Sequence, residues 1–367
     1  MKINPLWQLG TFGQSLWLDY IRRDLITGGG LRKLIEEDGL RGMTSNPSIF
    51  EKAIAESHEY DTEIKGMAGK GKDAREIYEA ISQKDVQSAA DVFRPLYDQT
   101  DGKDGYVSLE VNPHLARDTQ GTLQEARRLW GALDRPNVLI KVPATTEGLP
   151  AIQQLISEGI NVNVTLLFGL PRYRQAAEAC FDALESRAAQ GKSVKRLASV
   201  ASFFISRIDA MVDPLLERFI AEGGHFSELA KKVRGQAAIA SGKMAYQIFK
   251  EIYGGNRFKK LAAQGAQVQR LLWASTGTKN ADYSDVKYIE ALIGPETVNT
   301  APVDTLNAYR DHGMPEARLE QDLPNAQWVL DRLPELGINL GQVTQQLEDE
   351  GVEKFDKPFD KLMEILA

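Results

Sequence analysis

The chain contains the short apolar stretch Val138-Leu139-Ile140-Lys141-Val142-Pro143, which predicts a β-strand buried on both faces. Strands of this kind occur in parallel sheets whose two faces are covered by helices. Lys141 is anomalous in such a strand, because burying an ammonium group is costly unless the group is paired or loses its proton. A partly deprotonated lysine amine is a nucleophile towards carbonyl groups. The stretch therefore indicates a helix-covered sheet and a chemical role for Lys141.

Strand-like runs alternate with longer amphipathic segments along most of the chain. In residues 118–133, for example, Leu123, Ala126, Leu129 and Leu133 recur at helical spacing. The candidate strands are residues 15–20, 41–44, 107–111, 138–142, 160–167, 196–203, 270–275 and 296–301. Strands joined by helical crossovers in this number predict an α/β fold, a (β/α)8 TIM barrel. A doubly wound open sheet is the alternative, since a sequence pattern alone cannot close a barrel.

The chain is predicted to form a single domain over residues 1–367, because no low-complexity linker divides it. The barrel core covers about 15–302, and the long connections 46–106 and 208–269 each have room for several extra helices. Residues 303–367 are mostly helical in pattern and rich in charge. We expect them to form a C-terminal helical extension packed outside the barrel.

Composition excludes several classes of function. The chain has 367 residues and a net charge of −7, which argues against a large basic surface for nucleic acid. Its one cysteine, Cys180, falls in a helical pattern, which rules out an internal disulfide framework and fits a reducing compartment. The four histidines form no local metal-binding pair, and no apolar run approaches the roughly 18 residues of a membrane span. We therefore expect a cytoplasmic protein that binds neither nucleic acid nor membranes.

The predicted strand at residues 160–167 is polar on one face. Alternation places Asn161, Asn163 and Thr165 on that face and aliphatic residues on the other. In a strand that is covered by helices outside, the polar face must look into the barrel. An edge strand with a solvated face is the alternative explanation.

Two carboxylates occupy similar positions on other strands. Ser108 and Glu110 share one face of the third predicted strand, and Asp19 comes near the end of the first. Each carboxylate alone is explained as well by a loop-facing or helix-capping role. Together with Lys141 they indicate an amine and two carboxylates that point into one cavity.

An amine and two carboxylates in one cavity suit a particular chemistry. A lysine amine adds to a ketone or aldehyde, loses water and leaves an iminium, which accepts electrons when a neighbouring carbon–carbon bond breaks. Carboxylates move the protons that this cleavage needs, directly or through a water. Asparagine and threonine side chains suit a polyol, because they both donate and accept hydrogen bonds. The residues therefore indicate bond cleavage in a carbonyl compound with several hydroxyl groups.

Two loops offer donors and positive charge for a phosphate group. Arg207 follows the sixth predicted strand, and Ser275-Thr276-Gly277-Thr278-Lys279 follows the seventh, where barrels commonly bind phosphate. Gly277 permits close backbone approach, while Ser275 and Lys279 supply a donor and a charge. An ordinary turn with a solvated lysine is the alternative for the second loop.

Four short stretches of the chain, taken together in their order, form a pattern that can be compared with known families. They are Thr44-Ser45-Asn46-Pro47-Ser48, Val107-Ser108-Leu109-Glu110-Val111, Leu139-Ile140-Lys141-Val142-Pro143-Ala144-Thr145 and Asn163-Val164-Thr165-Leu166-Leu167-Phe168. Together they resemble the transaldolase family of the class I Schiff-base aldolase superfamily, from about residue 19 to residue 279. The resemblance implies transfer of a dihydroxyacetone unit from sedoheptulose 7-phosphate to glyceraldehyde 3-phosphate, which gives erythrose 4-phosphate and fructose 6-phosphate in the non-oxidative pentose phosphate pathway.

The resemblance also implies roles for individual residues. Lys141 would form the Schiff base, Asp19 would act as acid and base at the cleaved bond, and Glu110 and Thr165 would hold a catalytic water. Substrate hydroxyls would be contacted by Asn46, Asn163 and Ser202, with Thr44 supporting the site, and the phosphate by Arg207 and Ser275. No cofactor or metal is implied, because the lysine itself accepts the electrons.

The chain departs from the family pattern at two positions. Many members carry arginine two residues after the phosphate-site serine, where this chain has Gly277. The segment 273–280 instead resembles a longer-chain bacterial branch, and Lys279 would supply the second cation. Related fructose-6-phosphate aldolases carry tyrosine where this chain has Phe204. A hydroxyl there would recruit the water that favours simple cleavage, so Phe204 favours transfer.

Two alternatives to this function stay open. One is a fructose-6-phosphate aldolase that releases free dihydroxyacetone, and the other is a non-catalytic barrel that binds sugar phosphates. Sugar phosphates are the expected partners in every case. A monomer or a homodimer is the expected assembly.

Overall fold

The computed structural model describes residues 4–367 of the chain, which form a closed barrel of eight parallel strands. The strands are β1 Gln14–Asp19, β2 Leu40–Thr44, β3 Tyr106–Glu110, β4 Val138–Pro143, β5 Val162–Leu167, β6 Ser199–Phe204, β7 Arg270–Ala274 and β8 Thr297–Ala301. They pair in chain order, and β1 pairs with β8 to close the circle. The predicted TIM barrel is therefore confirmed, and the open doubly wound sheet is excluded.

The observed strand ends differ from the predicted ones by three residues at most. The largest difference is at β6, because Arg196 has a φ of 55° and belongs to the turn before the strand. Asn161 likewise precedes β5. Its side chain donates to the carbonyl of Val138 at 3.1 Å and accepts from the amide of Ala198 at 2.9 Å. The Asn161 side chain therefore links the starts of neighbouring strands by hydrogen bonds. The prediction that this side chain points into the barrel, which came from the polar face of residues 160–167, is wrong.

The described residues also form seventeen α-helices and three short 3₁₀ helices. The α-helices are α1 Pro5–Leu9, α2 Arg23–Thr27, α3 Gly30–Asp38, α4 Pro47–Ala55, α5 Asp61–Ala68, α6 Ala74–Gln99, α7 Thr119–Leu133, α8 Gly148–Glu158, α9 Leu170–Ala189, α10 Ser206–Glu222, α11 Ser227–Val233, α12 Ala237–Gly254, α13 Asn256–Ala262, α14 Lys287–Ala291, α15 Val303–His312, α16 Leu323–Arg332 and α17 Leu340–Leu366. The 3₁₀ helices are Gly10–Phe12, Pro113–Leu115 and Pro334–Leu336. The two long connections contain α4 to α6 and α10 to α13, as predicted. None of the helices in residues 4–367 combines the length and apolar character that a bilayer crossing requires.

Side chains from the strands fill the lower part of the barrel. Trp17 of β1 is fully buried there, and a Cβ added at Gly42 of β2 would lie 2.5 Å from its ring. Only glycine at this position leaves room for the indole. At the amino-terminal end, Arg270 donates to Ser15 Oγ at 2.8 Å and to Asp104 Oδ1 at 2.9 Å, so its buried charge is paired.

Cys180 lies on the buried face of α9, where the helical pattern placed it. Its side chain is almost inaccessible, and burial raises the pKa of the thiol to about 12. A thiol with so high a pKa stays protonated at neutral pH and reacts slowly. Cys180 is therefore a packing residue.

The last helix, α17, crosses the barrel at the carboxyl ends of the strands. A Cβ added at Gly351 would lie 3.0 Å from Leu166, so the helix backbone rests directly on the end of β5. Ion pairs fasten the helix to the surrounding loops and helices: Arg172 with Glu348, Arg117 with Asp349 and Lys361 with Glu51. The segment is helical, as expected. Its expected location outside the barrel is wrong for α17, which covers the barrel mouth.

Candidate active site

A cavity of about 140 Å³ lies at the carboxyl ends of the strands, beneath α17. It is lined by Asp19, Thr44, Asn46, Lys141, Thr165, Ser202, Phe204, Arg207, Ala274, Ser275, Lys279, Thr300, Pro302 and Phe355. The structure thus brings together ten of the twelve residues predicted for the site. The other two, Glu110 and Asn163, contact lining residues from behind.

Lys141 and Glu110 face each other because they are paired in register on β4 and β3. The Lys141 amine donates to Glu110 Oε2 at 3.1 Å and to the carbonyl of Ser45 at 3.2 Å. Both side chains are at most 5% exposed. Burial raises the pKa of the Glu110 carboxyl to about 7, against the opposing effect of the Lys141 amine. Glu110 is therefore able both to take and to return a proton near neutral pH.

Asp19 stands at the end of β1, on the side of the cavity next to β2 and β8. Thr44 Oγ1 donates to Asp19 Oδ1 at 2.7 Å and lies 2.7 Å from Thr300 Oγ1, so the carboxylate is held in a fixed orientation. Burial raises the pKa of Asp19, opposed mainly by the positive charge of Lys141. A carboxyl with a raised pKa near an amine suits acid–base work.

Two buried oxygen atoms have hydrogen-bonding capacity that the described part of the protein does not use. Glu110 Oε1 and Thr165 Oγ1 are shielded from solvent, and no side chain or backbone group in residues 4–367 hydrogen-bonds to either. Buried polar atoms are almost always paired in folded proteins. These two atoms are therefore suited to hold a water or a substrate hydroxyl beside Lys141.

A chain of hydrogen bonds supports the cavity from below. Asn163 donates to Ser108 Oγ at 3.0 Å and accepts from Ser202 Oγ at 2.7 Å, which links β3, β5 and β6. Asn163 is fully buried, so its amide orients Ser202, which lines the cavity. Asn46 lines the opposite side and caps α4, where its Oδ1 accepts from the amide of Ile49 at 3.0 Å. The cap uses the amide oxygen and leaves the amide nitrogen as a donor.

One end of the cavity is rich in positive charge. Arg207 and Lys279 both line it, and neither forms an ion pair with a carboxylate within residues 4–367. Arg207 Nη1 is buried and has no hydrogen-bond partner in the same part of the chain. Burial lowers the pKa of Arg207, and partial burial together with the Arg207 charge lowers the pKa of Lys279. Two adjacent cations that form no direct ion pair predict an anionic ligand group.

Ser275 completes this positive end. It has a φ of 54°, which is costly for a residue other than glycine and is typical of functional sites. Its Oγ lies 3.0 Å from Ser206 Oγ at the start of α10, a helix end that favours anions. A Cβ at Gly277 would lie 3.0 Å from Thr305 Oγ1, so a long side chain there requires Thr305 to move. The positive charge at this loop comes instead from Lys279.

The side chains around the cavity are suited to covalent chemistry at the Lys141 amine. Among the described residues, no group of three or more His, Cys, Asp or Glu side chains is arranged to hold a metal ion. The groups that surround the cavity are an amine, two carboxylates, hydroxyls and two further cations. This set is suited to adding an amine to a carbonyl and to moving protons around the product.

Sequence reasoning missed four lining residues: Ala274, Thr300, Pro302 and Phe355. Thr300 carried a usable signal, since it is a polar residue near the end of the eighth predicted strand. Phe355 carried none, because it belongs to a helix more than 200 residues away from Lys141 in the chain. Only the path of α17 across the barrel mouth places it in the cavity.

Comparison with known proteins identifies the family. The family model described as "Transaldolase/Fructose-6-phosphate aldolase" matches residues 16–366. The chain belongs to this family. The transaldolase of Trichodesmium erythraeum is 47% identical over 370 residues, which cover all of this chain and 97% of that protein. The resemblance to the transaldolase family, which was based on four short stretches of the sequence, is confirmed.

Two further transaldolases show that the similarity extends over nearly the whole chain. The protein of Thiobacillus denitrificans is 47% identical over 361 residues, which cover 98% of this chain and 99% of the relative. The protein of Mycobacterium tuberculosis is 43% identical over 364 residues, which cover 98% and 96% respectively. The matched length includes α17, so the helix over the cavity falls within the shared region.

Proposed function

We propose that the protein is a transaldolase, which moves a dihydroxyacetone unit from sedoheptulose 7-phosphate to glyceraldehyde 3-phosphate. The products are erythrose 4-phosphate and fructose 6-phosphate, and the reaction belongs to the non-oxidative pentose phosphate pathway. One observation carries the proposal: Lys141 is buried 3.1 Å from Glu110, in a cavity that also holds Asp19 and two cations that form no ion pair within residues 4–367. The relatives named transaldolase support it over the whole chain.

The first step joins the substrate to Lys141. The ammonium group of Lys141 passes one proton to Glu110, and the resulting amine attacks the C2 carbonyl of the ketose phosphate. A second proton then moves from the nitrogen to the C2 oxygen, which gives a carbinolamine. Glu110, whose carboxyl has a pKa of about 7, returns the proton so that the C2 oxygen leaves as water. The unused oxygens of Glu110 and Thr165 are suited to hold that water. The product is an iminium between Lys141 and C2.

The second step breaks the carbon–carbon bond. Asp19 takes the proton of the C4 hydroxyl, the bond between C3 and C4 breaks, and an aldose phosphate leaves with a new carbonyl. The electron pair of the broken bond moves onto the iminium, which becomes an enamine. Transfer runs the same step backwards: C3 attacks the aldehyde of the acceptor, and Asp19 gives the proton to the new hydroxyl. Water then releases the product and the Lys141 amine.

The positive end of the cavity selects sugars that carry a phosphate. Arg207 and Lys279 provide charge, and Ser275 provides a hydroxyl next to the start of α10. Asn46 and Ser202 line the space between this end and Lys141, where the substrate hydroxyls lie in the proposed complex. Asn163 acts through Ser202, because it is buried behind it.

Transfer is favoured over simple cleavage by the identity of residue 204. Phe204 lines the cavity and packs against Phe168, with ring centroids 5.1 Å apart. It offers no hydroxyl that would hold a second water near the enamine. The test is to supply fructose 6-phosphate with and without erythrose 4-phosphate. Product formation that does not depend on the acceptor would make the protein an aldolase.

The covalent intermediate gives the most direct test. Borohydride added with fructose 6-phosphate reduces the iminium, and mass spectrometry should find one three-carbon adduct, on Lys141. Lys141→Met should abolish the adduct. Lys279→Met is the matched control, since it removes the neighbouring amine and should leave the adduct on Lys141. A non-catalytic sugar-phosphate-binding barrel predicts no adduct at all, and an adduct on another lysine would overturn the assignment.

Residues 1–367 act as one functional domain in the proposed enzyme, because α17 contributes Phe355 to the cavity of the barrel. It also takes the protein to be a cytoplasmic enzyme, where its phosphorylated substrates are dissolved, and a monomer or a homodimer. Sedimentation analysis measures the assembly, and a larger oligomer would contradict this part of the proposal.

A further inference from the structure

Phe355 of α17 faces the reactive amine from above. Its ring centroid lies 5.0 Å from Lys141 Nζ, and the residue is 4% exposed. It lines the cavity together with Phe204 and Pro302. Several charged residues of α17 form ion pairs with residues outside the helix, whereas Phe355 lines the cavity. A buried aromatic ring next to a catalytic amine calls for an explanation beyond helix packing.

A neighbouring residue shows what packing alone requires. Phe359, one turn further along α17, is 6% exposed and packs edge-on against Tyr78, with ring centroids 5.6 Å apart. It does not line the cavity. Gly351 and the ion pairs of Glu348 and Asp349 fix the preceding turns of the helix. The helix is thus held in place on both sides of Phe355 by other contacts.

We propose that Phe355 decides the fate of the three-carbon unit on Lys141, favouring transfer to an acceptor over release as free dihydroxyacetone. This inference rests on the proposed transaldolase function. The ring acts in two ways. Its face stabilises the positive charge of the iminium, as aromatic faces do for cations within about 6 Å of the ring centroid. Its apolar bulk also closes the space above Lys141 to bulk water.

The competing reaction shows why closure matters. After the aldose phosphate leaves, the enamine carbon C3 is nucleophilic and reacts with an aldehyde or with a proton. A proton taken from bulk water forms a new C3–H bond and returns the enamine to an iminium. Water then adds at C2, the C2–N bond breaks, and dihydroxyacetone leaves with the Lys141 amine restored. Excluding bulk water from C3 slows this route and leaves the acceptor aldehyde as the reaction partner.

The experiment compares the wild type with Phe355→Ala, Phe355→Leu and Phe359→Leu. Each is given fructose 6-phosphate and erythrose 4-phosphate, and free dihydroxyacetone and sedoheptulose 7-phosphate are measured together. Phe355→Ala should raise the ratio of dihydroxyacetone to sedoheptulose 7-phosphate several-fold. Phe355→Leu keeps apolar bulk without an aromatic face, so it should raise the ratio less. It should still lower the borohydride-trapped iminium by about twofold to thirtyfold.

The control separates the ring from the helix. Phe359→Leu should leave the ratio unchanged, even if weaker docking of α17 lowers total activity, and melting curves report whether each variant is folded. The inference is overturned if Phe355→Ala keeps the wild-type ratio while Lys141 still forms its adduct. It is equally overturned if Phe359→Leu raises the ratio as much as Phe355→Ala. Absence of any adduct in the wild type would refute the proposed function itself.

Discussion

Lys141 and Glu110 are neighbours across two paired strands, with the amine 3.1 Å from the carboxylate and both side chains shielded from solvent. The amine opposes the rise that burial causes in the pKa of the Glu110 carboxyl. The arrangement accounts for a lysine within a buried strand, because the amine has a carboxylate partner at hydrogen-bond distance.

The pH dependence of catalysis should depend on Glu110. With a pKa of about 7, the wild-type carboxyl changes its charge across neutral pH, so kcat/KM should bend near pH 7. Glu110→Gln cannot titrate, and we expect it to lose that bend and about 100-fold or more in rate. Initial rates measured from about pH 5 to about pH 9 give both the position of the bend and the loss of rate. A bend that persists in Glu110→Gln would assign it to another group.

The same shift has a consequence for stability. The folded pKa of Glu110 is raised above its usual 4.5, so the protonated carboxyl is favoured by folding. This contribution is fully present below about pH 4.5 and is lost as pH rises through about 7. The melting temperature of the wild type should therefore fall relative to that of Glu110→Gln over this interval. A gap that stays constant or reverses with pH would show that the carboxyl is ionised throughout.

Asp19→Asn should separate bond cleavage from attachment of the substrate. The amide keeps the shape of the carboxylate and its contact with Thr44 but cannot take a proton, so turnover should fall by about 100-fold or more. An adduct on Lys141 should still form, because Glu110 serves the attachment step, but it should carry the intact sugar phosphate instead of the three-carbon unit. Thr44→Val, which removes the hydrogen bonds of Thr44 Oγ1 with Asp19 and Thr300, should lower turnover by less. Unchanged turnover in Asp19→Asn would remove Asp19 from its role.

Arg207 and Lys279 should contribute unequally to phosphate binding. Arg207 is half-buried and has an unpaired Nη1, whereas Lys279 stands at the exposed rim. We expect Arg207→Met to raise KM for fructose 6-phosphate by about tenfold or more, and Lys279→Met to raise it by less. Lys52→Met is the control for long-range charge, since Lys52 lies near Lys279 without lining the cavity. Unphosphorylated fructose should show no such differences.

Gly42→Ala should destabilise the barrel. The added Cβ would lie 2.5 Å from the ring of Trp17, and neither strand can move without disturbing its neighbours, so the cost should be about 1–3 kcal/mol or more. Gly131→Ala is the matched control, because Gly131 lies in α7 with open space around its Cβ position. That change should stabilise the protein by up to about 1 kcal/mol. Urea titration measures both, and equal stabilities would contradict the packing of Trp17.

Local pattern was enough to predict the strands and most of the site. The carboxyl ends of all strands lie at the same end of a parallel barrel. The convergence of Asp19, Glu110, Lys141 and Thr165 can therefore be predicted without knowing the path of the loops. The same argument failed at Asn161, because a side chain at a strand start bonds to neighbouring backbone instead of the lumen. The alternation of polar and apolar residues predicts which face of a strand a side chain lies on. It does not predict the position of that side chain along the barrel axis.

Tertiary packing decided what the pattern could not. The amphipathic sequence of α17 predicts a helix with one buried face, and nothing in that sequence says which surface covers it. Close approach at Gly351 and ion pairs to residues far away in the chain set its path. Phe355 entered the site as a result. Such long-range contacts leave no local signal, which is why the expected location of the extension was wrong.

The buried state of Cys180 makes the protein convenient for spectroscopy. The chain has no other cysteine, and this thiol is shielded and protonated at neutral pH. A cysteine placed at an exposed position of α17 would therefore be the single site that a maleimide dye modifies. The emission of such a dye would report in real time whether the helix shifts while sugar phosphates enter and leave, without any prior removal of native thiols.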